Sequence, residues 1–193
     1  MELNEIAKVN VGIVPGRKKA VYKDNNTFQY EMFNMKVYEE RLKGILINYD
    51  IYLSNEDLSD YIVHKGELIF RLAFPMQVIV VDDELDGKLI SNQYVSIQVD
   101  NNKYNPFFLK WYLESNDAGH QIEKYLLGTA IRTIPVVKLR EIRLPDITLK
   151  KQNQFAKLID SWDMQKKLYQ FLINEKDNYY NNALEMLVKK ERK

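Results

Sequence analysis

Apolar and polar positions change rhythm twice along this chain, and those changes predict its elements. In the first hundred residues short apolar runs dominate. ILINYDIYL (45–53), ELIFRL (67–72), QVIVV (77–81) and YVSIQV (94–99) are rich in β-branched and aromatic residues, and each predicts a strand. Turn residues at His64-Lys65-Gly66, Asp86-Gly87 and Asp100-Asn101-Asn102 separate some of them. The rhythm then becomes helical. In NPFFLKWYLESND, Asn105 can cap, Pro106 falls at the first helical position, and Phe108, Leu109, Tyr112 and Leu113 repeat at helical spacing. A second short helix is predicted over residues 121–127, ending at Gly128.

From about Lys151 the pattern changes again, with no proline or glycine to the end. Phe155, Leu158/Ile159, Trp162, Tyr169, Leu172/Ile173, Tyr179/Tyr180, Ala183 and Met186/Leu187 recur at steps of three and four, with polar breaks at Gln165/Lys166 and Lys176. This predicts one long helix with an apolar stripe. Residues 155–190 would extend about 54 Å, too far for one small domain to cover the whole stripe. A partner helix is the expected cover, and a helix folded back on its own domain is the alternative. The boundaries expected are a mixed α and β domain over 1–149 and a long helix over 150–193.

Composition narrows the function. The 193 residues contain no cysteine, which excludes a disulfide framework, a thiolate zinc site and a Cys nucleophile. Two histidines, His64 and His120, are too few for a His-rich metal site and are expected at the surface. No run approaches a membrane span, and MELNEIAKVNVG lacks a signal-peptide layout, so a soluble cytoplasmic protein without membrane contact is expected. The net charge is only +1, but the basic residues are uneven. Residues 45–100 carry three Lys/Arg against ten acids, whereas every other stretch is net basic. A nonspecific DNA coat would be basic nearly throughout, so any DNA-binding face must be built from selected segments.

Two catalytic readings fail on their residues. Asn105-Pro106-Phe107-Phe108 is like the Asn-Pro-Pro-aromatic motif of adenine-N6 methyltransferases, but the second proline and a Gly-x-Gly cofactor loop are missing. Asp82, Asp83, Glu84, Asp86 and Lys88 offer nuclease residue types, but DDELDGK carries an Asp-Gly turn and reads as a solvated hairpin loop. No cofactor is expected. A methyltransferase or nuclease fragment stays as the enzyme alternative, and a coiled-coil protein-binding adaptor as the other. For nucleic-acid contact the candidates are Arg17, Lys18 and Lys19 after Pro15-Gly16, with Lys23 close behind. Arg71 near a strand end suits guanine, and Asn92 and Gln93 suit adenine.

Taken in order, these segments resemble the target-recognition domain of Type I restriction-modification specificity subunits. Leu3-Asn4-Glu5-Ile6-Ala7 and Gly12 to Pro15 look like that family's lead-in. Gly66-Glu67-Leu68-Ile69-Phe70 resembles its Gly-Asp-Ile-Leu strand, and Leu89-Ile90-Ser91-Asn92 with Tyr94 to Ile97 its next strand pair. Asn105 to Leu113 is similar to its Asp-Pro-x-Tyr-Leu helix, and Gly128-Thr129-Ala130-Ile131 stands at its Gly-Ser loop. Leu139 to Leu144-Pro145 and then Gln152 resemble its junction into a long helix. Gly-Thr replaces Gly-Ser, only Pro145 is kept from a proline-rich junction, and one recognition domain stands where the family usually has two.

The resemblance implies an α+β fold, a β-rich mixed target-recognition domain followed by a long C-terminal coiled-coil helix. It implies a non-catalytic subunit that reads half of a bipartite double-stranded DNA target and docks methyltransferase subunits, with a restriction subunit joining them. Thr129 and Arg132 then join the expected DNA contacts. Leu158, Ile159, Trp162, Tyr169, Leu172, Ile173, Tyr180, Ala183 and Leu187 become the expected seam of a homodimer.

Overall fold

The computed structural model describes residues 1–20, 27–44, 46–128 and 130–191. The chain opens with α1 (Leu3–Ile6) and β1 (Ala7–Val11), followed by β2 (Phe28–Phe33), α2 (Met35–Lys43) and β3 (Asp50–Ser54). Four strands follow, β4 (Leu68–Arg71), β5 (Val78–Val80), β6 (Leu89–Ile90) and β7 (Tyr94–Val99). Helices complete it, α3 (Pro106–Leu113), α4 (Asn116–Glu123), α5 (Val136–Arg140) and α6 (Leu149–Glu191). The fold is mixed α+β with a long C-terminal helix.

β1, β7, β4 and β5 form an antiparallel sheet in that order, and β3, β2 and β6 a second, smaller sheet in which β2 and β6 run parallel. The first sheet is covered on both faces. Leu68, Phe70, Val95 and Ile97 pack with Phe108, Leu109, Tyr112 and Leu113 of α3. Ile69 and Tyr94 point the other way, into a cluster with Phe33 and Val37. Two buried faces explain why Leu68-Ile69-Phe70 is a continuous apolar run, each side chain contributing roughly 1.5–3 kcal/mol by its burial.

The smaller sheet is closed against the larger at Gly12. A Cβ there would lie 2.3 Å from the Ser91 carbonyl oxygen and 2.4 Å from that of Ile90, so only glycine lets these backbones meet. The Phe33 ring meets Tyr94 edge-on at 5.2 Å across the same joint.

Three expectations need correction. The strand predicted over 45–53 begins only at Asp50, and Ile45 lies outside the described residues. Ile47 and Tyr49 alternate as in a strand, but they pack from a loop onto the cluster around Phe33, and the Tyr49 hydroxyl donates to the Glu84 carbonyl at 3.2 Å. The helix predicted over 121–127 lies earlier. Ser115 caps it by accepting from the Ala118 N–H at 3.4 Å, it ends at Glu123, and Leu127 beyond it pairs in extended form with Thr133. DDELDGK is no hairpin, since β5 belongs to one sheet and β6 to the other. Its carboxylates are spent on ion pairs, Asp82 and Glu84 with Arg41 at 2.5 Å each and Asp83 with Lys65 at 2.5 Å.

α6 spans 43 residues, about 64 Å. Its first turns lie on the domain and run in the same direction as α3, Asn105 meeting Gln152, Phe108 stacking on Phe155 at 5.8 Å, and Lys110 approaching Asp163 at 3.8 Å. The domain-facing line is Gln152, Ala156, Ile159 and Asp163. The apolar stripe is centred about 120° further round the helix, at 100° per residue. Leu158, Trp162, Tyr169, Leu172, Ile173, Tyr180 and Leu187 are accordingly exposed, Ala183 is half-exposed, and Ile159 alone among the expected seam residues packs on the domain core. The domain covers the root of the helix and leaves the stripe bare.

Candidate nucleic-acid interface

β1 and β4 end, and β7 begins, at the same edge of the larger sheet, and four loops converge there. Backbone hydrogen bonds join them into one strip. The Asn92 N–H donates to the Ile13 carbonyl at 2.6 Å, tying the β6–β7 turn to the segment that leads into the Arg17 loop. The Leu72 N–H donates to the Gln93 carbonyl at 2.9 Å. On the other side of Leu72, the Ile134 N–H donates to its carbonyl at 3.0 Å, and the Phe74 N–H donates to the Arg132 carbonyl at 2.8 Å. Leu127 and Thr133 exchange two further bonds of 2.9 and 2.8 Å, closing the base of the loop that carries Arg132.

The strip therefore brings together Arg71, Asn92, Gln93 and Arg132, up to 61 positions apart in sequence, and Arg17, Lys18 and Lys19 follow on the loop after Ile13, which turns toward β3 through Pro15 and Ala20. Lys23 and Thr129 lie outside the described residues. Asn92 and Gln93 are both exposed at their turn. Gly128 holds φ +101, and a Cβ on it would come within 2.5 Å of the Ile131 carbonyl oxygen, so this loop also needs its glycine.

The cations on the strip differ in availability. Lys18 sits 3.2 Å from Glu56 and 4.9 Å over the Tyr61 ring, and the hydrogen bond to Glu56 holds its ammonium pKa above the ordinary lysine value. It is already occupied. Arg17, Lys19, Arg71 and Arg132, by contrast, pair with no carboxylate among the described residues. Elsewhere on the domain Lys65, Lys88, Lys103 and Lys138 each have an acidic neighbour, whereas Lys8, Lys43, Lys124, Arg140 and Arg143 also pair with no carboxylate among the described residues. Arg71 is half-buried and leans toward the Pro75 carbonyl at 3.4 Å. Burial pushes the nearby Tyr94 hydroxyl pKa up, and the Arg71 charge opposes that rise.

One strip residue was not legible from the sequence. Phe74 is exposed, and the Arg132 guanidinium lies 5.3 Å from its ring centre. The only sequence signal was an aromatic residue before proline in a loop. Among the described residues no group of three acidic or histidine side chains is placed to hold a metal ion. His64 and His120 are both exposed. Among the described residues no helix is long and apolar enough to cross a membrane.

No family model matches the sequence, and no curated protein matches it. Solved structures match it in fold. The HsdS subunit from Thermoanaerobacter tengcongensis superposes with a TM-score of 0.65 at 16% identity, covering 91% of this chain and 44% of its own. A chain from a structure bearing on complex assembly and conformational transition of the type I R-M system gives 0.63 at 16% identity, covering 89% and 43%. The Type-I restriction-modification system S subunit from M. genitalium gives 0.54 at 13% identity, covering 85% and 38%. The chain thus spans less than half the length of each of these neighbours. Over about nine-tenths of its length, its fold is that of the HsdS specificity subunits of Type I restriction-modification systems.

Proposed function

We propose that this chain is a DNA-reading subunit of a Type I restriction-modification assembly, without catalytic activity of its own. Residues 1–149 form its target-recognition domain, and residues 150–193 form a helix for dimerisation and methyltransferase docking. The observation that carries the reading is the bonded strip. It holds Arg71 and Arg132, neither with a carboxylate partner among the described residues, near the turn that carries two exposed amides, Asn92 and Gln93, with Arg17 and Lys19 on the adjoining loop after Ile13. Guanidinium and ammonium groups contact phosphates, arginine also reads guanine, and amides read adenine.

One domain reads too few base pairs to be selective among genomic sites. Pairing through the bare stripe of α6 in an antiparallel homodimer supplies a second reading domain at the far end of a rod, and the closed two-fold interface covers the stripe. The target is then two inverted half-sites around an unread spacer. Methyltransferase subunits dock on the dimer, and a restriction subunit joins them.

The test is selection by the full chain from a random pool of DNA duplexes, followed by salt titration on the enriched sequence. Inverted half-sites should emerge, and affinity should fall as salt rises because phosphate contacts release counterions. A pool that never enriches, with binding indifferent to salt, leaves the protein-binding adaptor as the function.

A further inference from the structure

We infer that Phe74 and Ile131, on either side of Arg132, are the apolar part of the DNA contact and pack against base edges inside a groove. The inference rests on the DNA-reading function proposed above and names residues that the charge pattern does not suggest. Ile131 is 69% exposed and Phe74 52% exposed, and Leu127 beside them is 61% exposed. None of the three belongs to the stripe of α6. Large apolar side chains left in water on loops tied to a sheet edge mark a binding surface.

The surroundings specify the occupant. The Phe74-Pro75 segment lies between two guanidiniums, Arg132 over the ring at 5.3 Å and Arg71 reaching the Pro75 carbonyl at 3.4 Å. Neither arginine has a carboxylate partner among the described residues. The surface that fits is anionic at its rim and apolar within. A duplex groove has that layout, with phosphates along its edges and base edges, including thymine methyl groups, on its floor. Apolar side chains beside arginine are also what proteins insert between base steps. The loop is held for such a role, its base closed by the paired bonds of Leu127 with Thr133 and its bend set by Gly128.

The experiment is a salt titration of the full chain on the duplex it selects, with Phe74→Ala, Ile131→Ala and Arg132→Ala. An apolar contact releases no counterions. Phe74→Ala and Ile131→Ala should therefore each lower affinity about three- to tenfold at every salt concentration, with the slope unchanged. Arg132→Ala should flatten the slope. The stack on Arg132 is made by Phe74 and not by Ile131, so the Ile131 variant tests apolar contact with that stack left in place. Thermal melts matching the unmodified chain will show that the fold is intact, and Phe74→Tyr should keep most of the affinity. Wild-type affinity in both apolar variants overturns the inference, including the case where they bind DNA normally but fail to assemble with protein partners. An unmodified chain that binds no duplex in a salt-dependent way overturns the DNA-reading function itself.

Discussion

The buried Gln152 side chain on α6 and the half-buried Asn105 backbone at the head of α3 form a junction. Gln152 Oε1 accepts from the Asn105 N–H at 2.8 Å, and its Nε2 donates to the Ile147 carbonyl at 2.7 Å. The Asn105 side chain in turn accepts from the Phe107 and Phe108 N–H groups at 2.9 and 3.1 Å, and donates to Asn153 at 2.8 Å. One glutamine thus fixes the start of the long helix against the cap of another.

Gln152→Ala should cost about 1–3 kcal/mol, because it removes a buried side chain and leaves a half-buried N–H and a half-buried carbonyl without their partner. Asn153→Ala, at the exposed side of the same junction, should cost roughly 1 kcal/mol or less. Chemical denaturation monitored by circular dichroism measures both. Equal losses would mean that the junction does not hold the helix root.

The Arg17 loop predicts a graded salt response. Arg17 and Lys19 are exposed and unpaired among the described residues, whereas Lys18 is engaged by Glu56 and Tyr61. Replacing Arg17 and Lys19 with Ala should flatten the slope of log affinity against log salt by about 1.8, while Lys18→Ala should change it by well under one unit. Fluorescence anisotropy over a range of salt reads the difference. A Lys18 variant with the larger effect would mean that DNA draws this lysine away from Glu56.

Self-association should depend on the far stripe and not on the root. Leu172→Asp with Ile173→Asp should turn a dimer into a monomer in sedimentation while the domain melts as before, since both side chains are exposed. Ile159→Asp should also lower the melting temperature, because Ile159 packs on the domain core. A single sedimentation species, the same in both variants as in the unmodified chain, would remove the homodimer.

Acid stability carries a signature of α2. Burial pushes the Asp82 carboxyl pKa up, but the hydrogen bond and charge of Arg41, together with backbone N–H donors including Leu85, outweigh that and leave it below the ordinary value of 3.8. Asp82 is therefore a weaker proton acceptor folded than unfolded. Its contribution is complete above pH 3.8 and is lost as pH falls through the lower folded value. Arg41→Ala should shrink the loss of stability seen below that pH, measured as urea midpoints from pH 5 downward. An acid limb identical to the unmodified chain's would mean that Arg41 does not set this titration.

Much of this was legible because the residues obeyed one local rule at a time. Asn105-Pro106 capped α3 as its spacing predicts, and β4, β5 and β7 fall where β-branched and aromatic runs placed them. β1, β2 and α2 escaped because their patterns are shallow. Of α2 only Val37 is fully buried, and β2 buries only Phe33. Residues 46–49 misled because Ile47 and Tyr49 keep strand spacing while packing from a loop. For the candidate interface, residue types were readable and adjacency was not. Nothing in the sequence says that Gln93 bonds to Leu72, or that Arg132 covers Phe74. Gln152 was visible through the family resemblance, but not its two hydrogen bonds.

The same-direction run of α6 and α3 makes the far part of α6 a lever. Residues 164–191 form an arm about 42 Å long beyond the Lys110–Asp163 contact. A tilt of about 5° at the root would swing its tip by about 4 Å, close to the roughly 3.4 Å rise of one base pair. In the proposed assembly, where two such arms set the distance between reading domains, an angular error of that size becomes an error of one base pair in spacing. Gln152, Phe155 and Asp163 then act as the fulcrum clamps of a caliper, and the stiffness of three side-chain contacts sets the tolerance with which a spacer is measured.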